Sequence, residues 1–326
     1  MMRASEYTCT RFAYRYILTN KAEDINHPTM ESKQQSEELK LSVPWGHIAA
    51  KAWGLSTDRR ILAVHGILDN AGTFNRIIKF LPKDCYIVCI DLPGHGFSSH
   101  FDSGVPLNYF SYVLTIHYVL NALQWNTCIY MGHSFGAHIG TIFSILYPKR
   151  IEKLILLDSV IPMPTLNEDL ISSLQGVCDI AIKADENKIP RLYTKEEVLY
   201  ALKYTRLSAL NAEAAEALFE RGLTQIDDLY KYNRDIRLKR FVVPFFDIDQ
   251  LITFIKKMSN LCLIILSNSS LDVYKWQTCV LNQLRNCNNT STIIYVNGNH
   301  DVHNNYPERV APHICKFLGS NNKSKL

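Results

Sequence analysis

Short apolar runs rich in β-branched residues punctuate the chain at Ile48 to Trp53, Arg60 to Val64, Tyr86 to Ile90, Thr127 to Met131, Lys153 to Leu157, Leu261 to Leu266 and Thr292 to Val296. Runs of this kind read as strands buried on both faces, and helical spacing fills the stretches between them. The alternation predicts βαβ units and a mostly parallel sheet, an α/β fold. Between Ile161 and Ser259 the rhythm breaks into a helical pattern. Thr194 and Glu197 have capping-box spacing, Asn211 is placed to cap an Ala/Glu-rich helix, and Gly222 to end it. This predicts an inserted helical cap, 161–259, over the carboxyl ends of the strands, with 38–160 and 260–318 forming the core. A helical subdomain with no part in binding is the plainer alternative. Residues 1–37 read as an extension, because Lys21 to Glu38 is polar and shows no packing face, and 319–326 read as a polar tail.

At 326 residues, the chain can bury about three quarters of its unfolded surface, which suits one elaborated domain. Lysine plus arginine total 35 against 31 acidic residues, a net +4 with no long run of one sign. That balance gives no phosphate-tracking stripe, so nucleic acid is not an expected partner. The longest wholly apolar run, Leu261 to Leu266, is too short to span a bilayer, which predicts a soluble chain without a membrane span. Nine scattered cysteines without a Cys-x-x-Cys pair suggest neither a disulfide framework nor a zinc cage, and fit a reducing compartment. With no apolar signal core near the N-terminus, the sequons at Asn268, Asn288 and Asn289 are expected to be unused.

The chain ends in Ser324, Lys325 and Leu326, the peroxisomal import tripeptide. It predicts the peroxisomal import receptor as a partner and the peroxisome as the address, with the cytoplasm as the alternative. Arg3, Arg11 and Arg15, opposed only by Glu6, offer a rival reading as a mitochondrial presequence, and a functionless extension is the third.

The candidate chemistry centres on Gly132, His133, Ser134, Phe135 and Gly136, which lie between the strand-like run ending at Met131 and a helical stretch from Ala137 to Tyr147. A strand that turns sharply into a helix with serine at its apex needs residues without bulk on both sides, and glycine supplies them at 132 and 136. The same bend puts a hydroxyl at a helix N-terminus, where free N–H groups favour developing negative charge. The alternative is a coincidental surface turn.

Val64-His65-Gly66, the string Asp69 to Phe74, the string Asp91 to Ser99, the serine bend, Arg234-Asp235 with Arg237-Leu238, and Gly298-Asn299-His300 together resemble the serine hydrolase-like (kraken-type) group of the α/β-hydrolase superfamily. The resemblance runs from about residue 40 to 318. It implies an α/β-hydrolase fold with an eight-stranded sheet, a helical cap and Ser134 as nucleophile. The amides of Ile67 and Phe135 are then the expected oxyanion donors. His300, in the loop after the last strand, is the expected base, with His303 as its competitor. Asp272 is the expected acid, in the order Ser, Asp, His; Ser270 stands near the usual spot, and Asp158 after the fifth of the runs is the alternative. Asp91 and the remaining histidines, His95 and His133 included, read as structural. Three functions stay open: a hydrolase cleaving an ester or thioester without metal or organic cofactor, a non-catalytic ligand-binding relative, and a carbon–carbon bond hydrolase using the same triad. A serine nucleophile argues against dehalogenase and epoxide hydrolase chemistry.

Overall fold

The computed structural model describes residues 36–319 apart from 166, 187–189, 207, 241, 243, 274, 288 and 289. The N-terminal arginines and the terminal Ser324-Lys325-Leu326 lie outside the described residues. In chain order the elements are β1 (Ser36–Val43), β2 (Gly46–Trp53), β3 (Arg59–Val64), β4 (Cys85–Ile90), α1 (Tyr109–Ala122), β5 (Cys128–His133), α2 (Phe135–Leu146) and β6 (Ile151–Leu157). They continue through α3 (Leu170–Glu186), α4 (Lys195–Tyr204), α5 (Ala212–Gly222), β7 (Leu223–Ile226), β8 (Leu229–Tyr232) and α6 (Ile248–Ile255). The chain then forms β9 (Leu261–Ser267), α7 (Asn268–Val273), α8 (Lys275–Cys287), β10 (Ser291–Val296), α9 (Val302–Asn305) and α10 (Pro307–Gly319).

Eight strands form one sheet in the order β1-β2-β4-β3-β5-β6-β9-β10. β1–β2 and β2–β4 pair antiparallel, and every pair from β4–β3 onward is parallel. The α/β-hydrolase fold expected from the sequence is therefore present. Alternate residues of the central strands feed two cores. Leu62, Val64, Tyr130, Leu154, Leu156, Ile264 and Leu266 pack with α1 and α2 on one side. Ile61, Ala63, Ile129, Met131, Ile155, Leu263 and Ile265 pack with α10 on the other. Burial on both faces explains why these strands read as continuous apolar runs rather than alternating ones.

Three features depart from the sequence reading. β1 begins at Ser36, inside the expected extension; it is an edge strand whose only buried residue is Leu41, so it leaves almost no apolar signal. The stretch 161–259 is not wholly helical, because β7 and β8 form an antiparallel hairpin across Asp227-Asp228, with Asp227 at φ +52°. α6 belongs with the core, since Leu251 and Ile255 share the apolar cluster of Ile264 and Leu266.

The strings Asp69 to Phe74, Asp91 to Ser99 and Arg234 to Leu238 turn out to join the stretch between β6 and β9 to loops at the sheet. Asn70 caps the short turn Ala71–Phe74 and donates to the Leu218 carbonyl of α5 at 2.9 Å. A Cβ at Gly72 would lie 2.1 Å from the Ala217 carbonyl oxygen, so only glycine lets the two backbones approach. Asp91 accepts hydrogen bonds from the amides of Ala71 and Phe97 and from Arg221 Nε of α5 at 2.7 Å. Burial pushes the Asp91 pKa up to about 6, against the pull of Arg221. Arg237 pairs with Asp235 and ties the carbonyls of Phe101, Asp102 and Val105 to the segment.

Candidate active site

Ser134 stands between the end of β5 and the start of α2 with φ +50° and ψ −114°, a conformation an L-residue adopts only when its surroundings over-determine it. Three contacts do so. The Ser134 amide donates to the Leu157 carbonyl of β6 at 3.0 Å, and a Cβ at Gly132 would lie 2.5 Å from the Gly136 carbonyl oxygen. A Cβ at Gly136 would come within 2.1 Å of the Val64 carbonyl oxygen, so α2 can start this close to β3 only with glycine there.

His300, in the loop between β10 and α9, places Nε2 2.8 Å from Ser134 Oγ. Its Nδ1 lies 2.6 Å from Asp158 Oδ2. Because a carboxylate can only accept, Nδ1 carries the proton; Nε2 of the neutral ring is then the acceptor and the Ser134 hydroxyl the donor. Asp158 is fully buried, whereas Ser134 and His300 are partly exposed. Burial alone would lower the His300 pKa, but the hydrogen bond and charge of Asp158, together with Asp301 and Asp69, raise it above the ordinary histidine value.

Asp158, rather than the expected Asp272, is the carboxylate that meets His300. Asp272 lies in α7, beyond the segment that meets His300, and its side chain is outside the described ones. β6 and β9 are neighbours, with Leu157 opposite Ile265, so a residue directly after β6 and one directly after β9 reach the same edge of the imidazole. Here the residue after β6 supplies the carboxylate, and Ser267 at the end of β9 and Ser270 in α7 supply its donors. Asp158 Oδ1 accepts from the Ser267 amide at 2.5 Å, and Ser270, at the usual acid's place, donates its hydroxyl to Asp158 Oδ2. His303, the competing base, is fully buried and hydrogen-bonded to Thr73 Oγ1 at 2.9 Å, away from Ser134.

Phe135 is the first residue of α2, so its amide is one of the helix's unpaired N-terminal donors. The Gly66-Ile67 turn abuts Ser134: a Cβ at Gly66 would lie 3.1 Å from Ser134 Cβ. Two neutral histidines brace that turn. His65 donates from Nδ1 to the Gly66 carbonyl at 2.7 Å and accepts the Leu92 amide at Nε2, 3.0 Å. His95 donates from Nδ1 to Pro93 and accepts the Leu68 amide at 3.1 Å. Burial lowers both pKa values, that of His95 to about 4, which keeps each ring a donor at one nitrogen and an acceptor at the other.

A buried charged cluster beside Ser134 and His300 left no signal in the sequence. Arg206, just past α4, lies 2.7 Å from Asp69 and 3.3 Å from Asp301, and His133 Nε2 donates to the His300 carbonyl at 2.9 Å. Asp69, His133 and Asp301 bring ligand-type atoms within 4.8 Å of one another, the arrangement a metal ion would need. The Arg206 guanidinium already supplies positive charge between the two carboxylates, and it ties the stretch between β6 and β9 to the loop that carries His300. Burial pushes the Asp69 carboxyl up; Asp301 is held below the ordinary range, because Arg206 with the two imidazoles outweighs burial there.

A mostly parallel sheet of this order, with serine on the bend after β5, has the architecture of the α/β hydrolases. Residues 59–237 match the family model of the α/β hydrolase fold. The chain is 31% identical over 300 residues to a serine hydrolase-like protein of Danio rerio, covering 89% of this chain and 90% of that protein. It is 34% identical over 296 residues to serine hydrolase-like protein 2 of Homo sapiens, covering 86% and 93%. A solved structure of a hypothetical protein from Pseudomonas aeruginosa PAO1 superposes with a TM-score of 0.77 at 26% identity, covering 88% of this chain and 99% of that one. The chain belongs to the α/β-hydrolase fold family, and within it to the serine hydrolase-like group.

Proposed function

We propose that the protein is a serine hydrolase that cleaves an ester or thioester through Ser134, His300 and Asp158. The observation that carries this reading is the 2.8 Å contact between Ser134 Oγ and His300 Nε2, with Asp158 held 2.6 Å from the opposite ring nitrogen. Ser134 Oγ attacks the substrate carbonyl while its proton passes to His300 Nε2, and Asp158 stabilises the imidazolium. The amides of Ile67 and Phe135 receive the oxyanion of the tetrahedral intermediate, each contributing about 3 kcal/mol to the transition state. His300 then protonates the departing alkoxide or thiolate, and a water activated by the same ring releases the acid from the acyl-enzyme.

The test is pre-steady-state hydrolysis of a 4-nitrophenyl ester. A burst of nitrophenol equivalent to one site, abolished in Ser134→Ala, is the expected result; a folded wild-type protein with no turnover on esters or thioesters overturns the reading in favour of a non-catalytic relative. We further propose import into peroxisomes through Ser324-Lys325-Leu326. Removing these three residues should disperse a tagged chain, and an unchanged distribution refutes this.

A further inference from the structure

The cap holds a cavity of about 580 Å³, within the range of small-molecule sites. Its wall carries three tyrosines, Tyr193, Tyr200 and Tyr232, with Arg191 and Arg234 among them and Glu196 and Glu197 on α4. The rings of Tyr193 and Tyr232 stand 5.4 Å apart, and each carries a guanidinium: Arg234 Cζ lies 4.2 Å from the Tyr232 centroid and Arg191 Cζ 5.0 Å from that of Tyr193. The two aromatic arms share one support, because Tyr193 exchanges backbone hydrogen bonds with Tyr230 of β8 at 2.9 and 2.8 Å. The opposite wall is α4, fixed by the Thr194–Glu197 capping box.

The charges in this wall are unequally committed. Glu197 spends a carboxylate oxygen on the Thr194 amide at 2.8 Å, and Glu196 is exposed on the first turn of α4. Arg206, within electrostatic reach of Arg234, is committed to Asp69 and Asp301 beside the triad. Arg234 itself is partly buried, and among the described residues its guanidinium makes no hydrogen bond or ion pair. Burial, with repulsion from Arg206, holds its pKa below the ordinary arginine range. Tyr232, Tyr193 and Asp69 pull the other way without hydrogen-bonding the guanidinium, and a guanidinium on an aromatic face presents its N–H fork to a planar or tetrahedral oxyanion.

We propose that this cavity is a subsite for an anionic group of the substrate, a carboxylate or a phosphate, with Arg234 as its charge partner and Arg191 at the rim. This rests on the hydrolase reading above and narrows it to charged esters or thioesters.

The experiment compares matched substrate pairs. Mono-4-nitrophenyl glutarate against 4-nitrophenyl pentanoate reports a carboxylate on the acyl side. S-butyryl-4′-phosphopantetheine against S-butyrylpantetheine reports a phosphate on the leaving group. Wild type should prefer the charged member of one pair by about 10- to 100-fold in kcat/KM, the strength of one charge-assisted contact. Arg234→Gln should collapse that ratio mainly through KM, Arg234→Lys should restore part of it, and Arg191→Gln, at an exposed site, should lower it by a smaller factor. Equal treatment of charged and neutral members in both pairs, or a ratio unmoved by Arg234→Gln, overturns the proposal while leaving ester hydrolysis intact. The converse is read by calorimetry on Ser134→Ala. If no ester is turned over by wild type, yet glutarate or 4′-phosphopantetheine binds to Ser134→Ala and Arg234→Gln abolishes that binding, the hydrolase reading falls and the anion subsite stands.

Discussion

Replacing Asp158 by asparagine changes one atom of the carboxylate and should disable the base through its tautomer. Asparagine tolerates the φ of +54° at this position, so the backbone can be kept. The Ser267 amide donates to Oδ1 at 2.5 Å, which fixes the new carboxamide oxygen there and turns its NH2 toward His300 Nδ1. A donor facing Nδ1 forces the ring proton onto Nε2, where it blocks acceptance of the Ser134 proton. An aspartate-to-asparagine change of this type costs about 10⁴-fold in kcat, or about 5 kcal/mol of transition-state stabilisation. Asp272→Asn, made in parallel, should stay within about 2-fold, as a change outside the Ser134–His300–Asp158 contacts does. The assay is steady-state hydrolysis of a 4-nitrophenyl ester, with thermal melting to confirm folding. Retention of more than roughly a tenth of wild-type kcat by folded Asp158→Asn, or loss of the theoretical 10⁴-fold in Asp272→Asn instead, would refute the reasoning.

Four further outcomes follow from the structure. His300 must be neutral to accept a proton and its pKa is raised, so the acid limb of kcat/KM should have its midpoint above the ordinary histidine value of about 6.5; a midpoint at or below it contradicts the Asp158 contact. The sign for stability is opposite: the His300–Asp158 interaction contributes fully below about pH 6.5 and is lost as pH rises through the folded pKa, which urea titrations of wild type and His300→Gln across that window can measure. Gly136→Ala should destabilise by about 3 kcal/mol or more, because its Cβ would lie 2.1 Å from the Val64 carbonyl oxygen; an unaltered urea midpoint disproves the close approach. Arg221→Leu strands the buried Asp91 carboxylate and should cost about 3–5 kcal/mol at neutral pH, less at pH 5, where Asp91 takes up a proton; equal losses at both pH values contradict the pairing.

Much of the frame is legible in the sequence because its physics is local. The central strands are apolar on both faces, and the glycines at 132 and 136 announce a backbone collision that only they avoid. What escapes the sequence depends on which strands become neighbours. Asp158 and Asp272 both follow strands, and choosing between them requires knowing that β6 lies beside β9 at a register that brings Ser267 and Ser270 around Asp158; the serine at 270 was the one visible hint. Arg206 had no signal, since the charges it meets, Asp69 and Asp301, lie far away in the chain. Asn70, Gly72, Asp91 and Arg237 were visible as strings characteristic of the group, but their work as joints appears only when α5 is seen against the turn after β3. β1 was missed because an exposed edge strand buries almost nothing that hydrophobic patterning can detect.

The most direct test of the central claim is to treat the folded protein with a fluorophosphonate, digest it and locate the modified residue by mass spectrometry. One phosphonyl group on Ser134, formed rapidly and slowed in both His300→Gln and Asp158→Asn, is the predicted result. Modification at any other serine, or none at all on folded protein, would contradict the account.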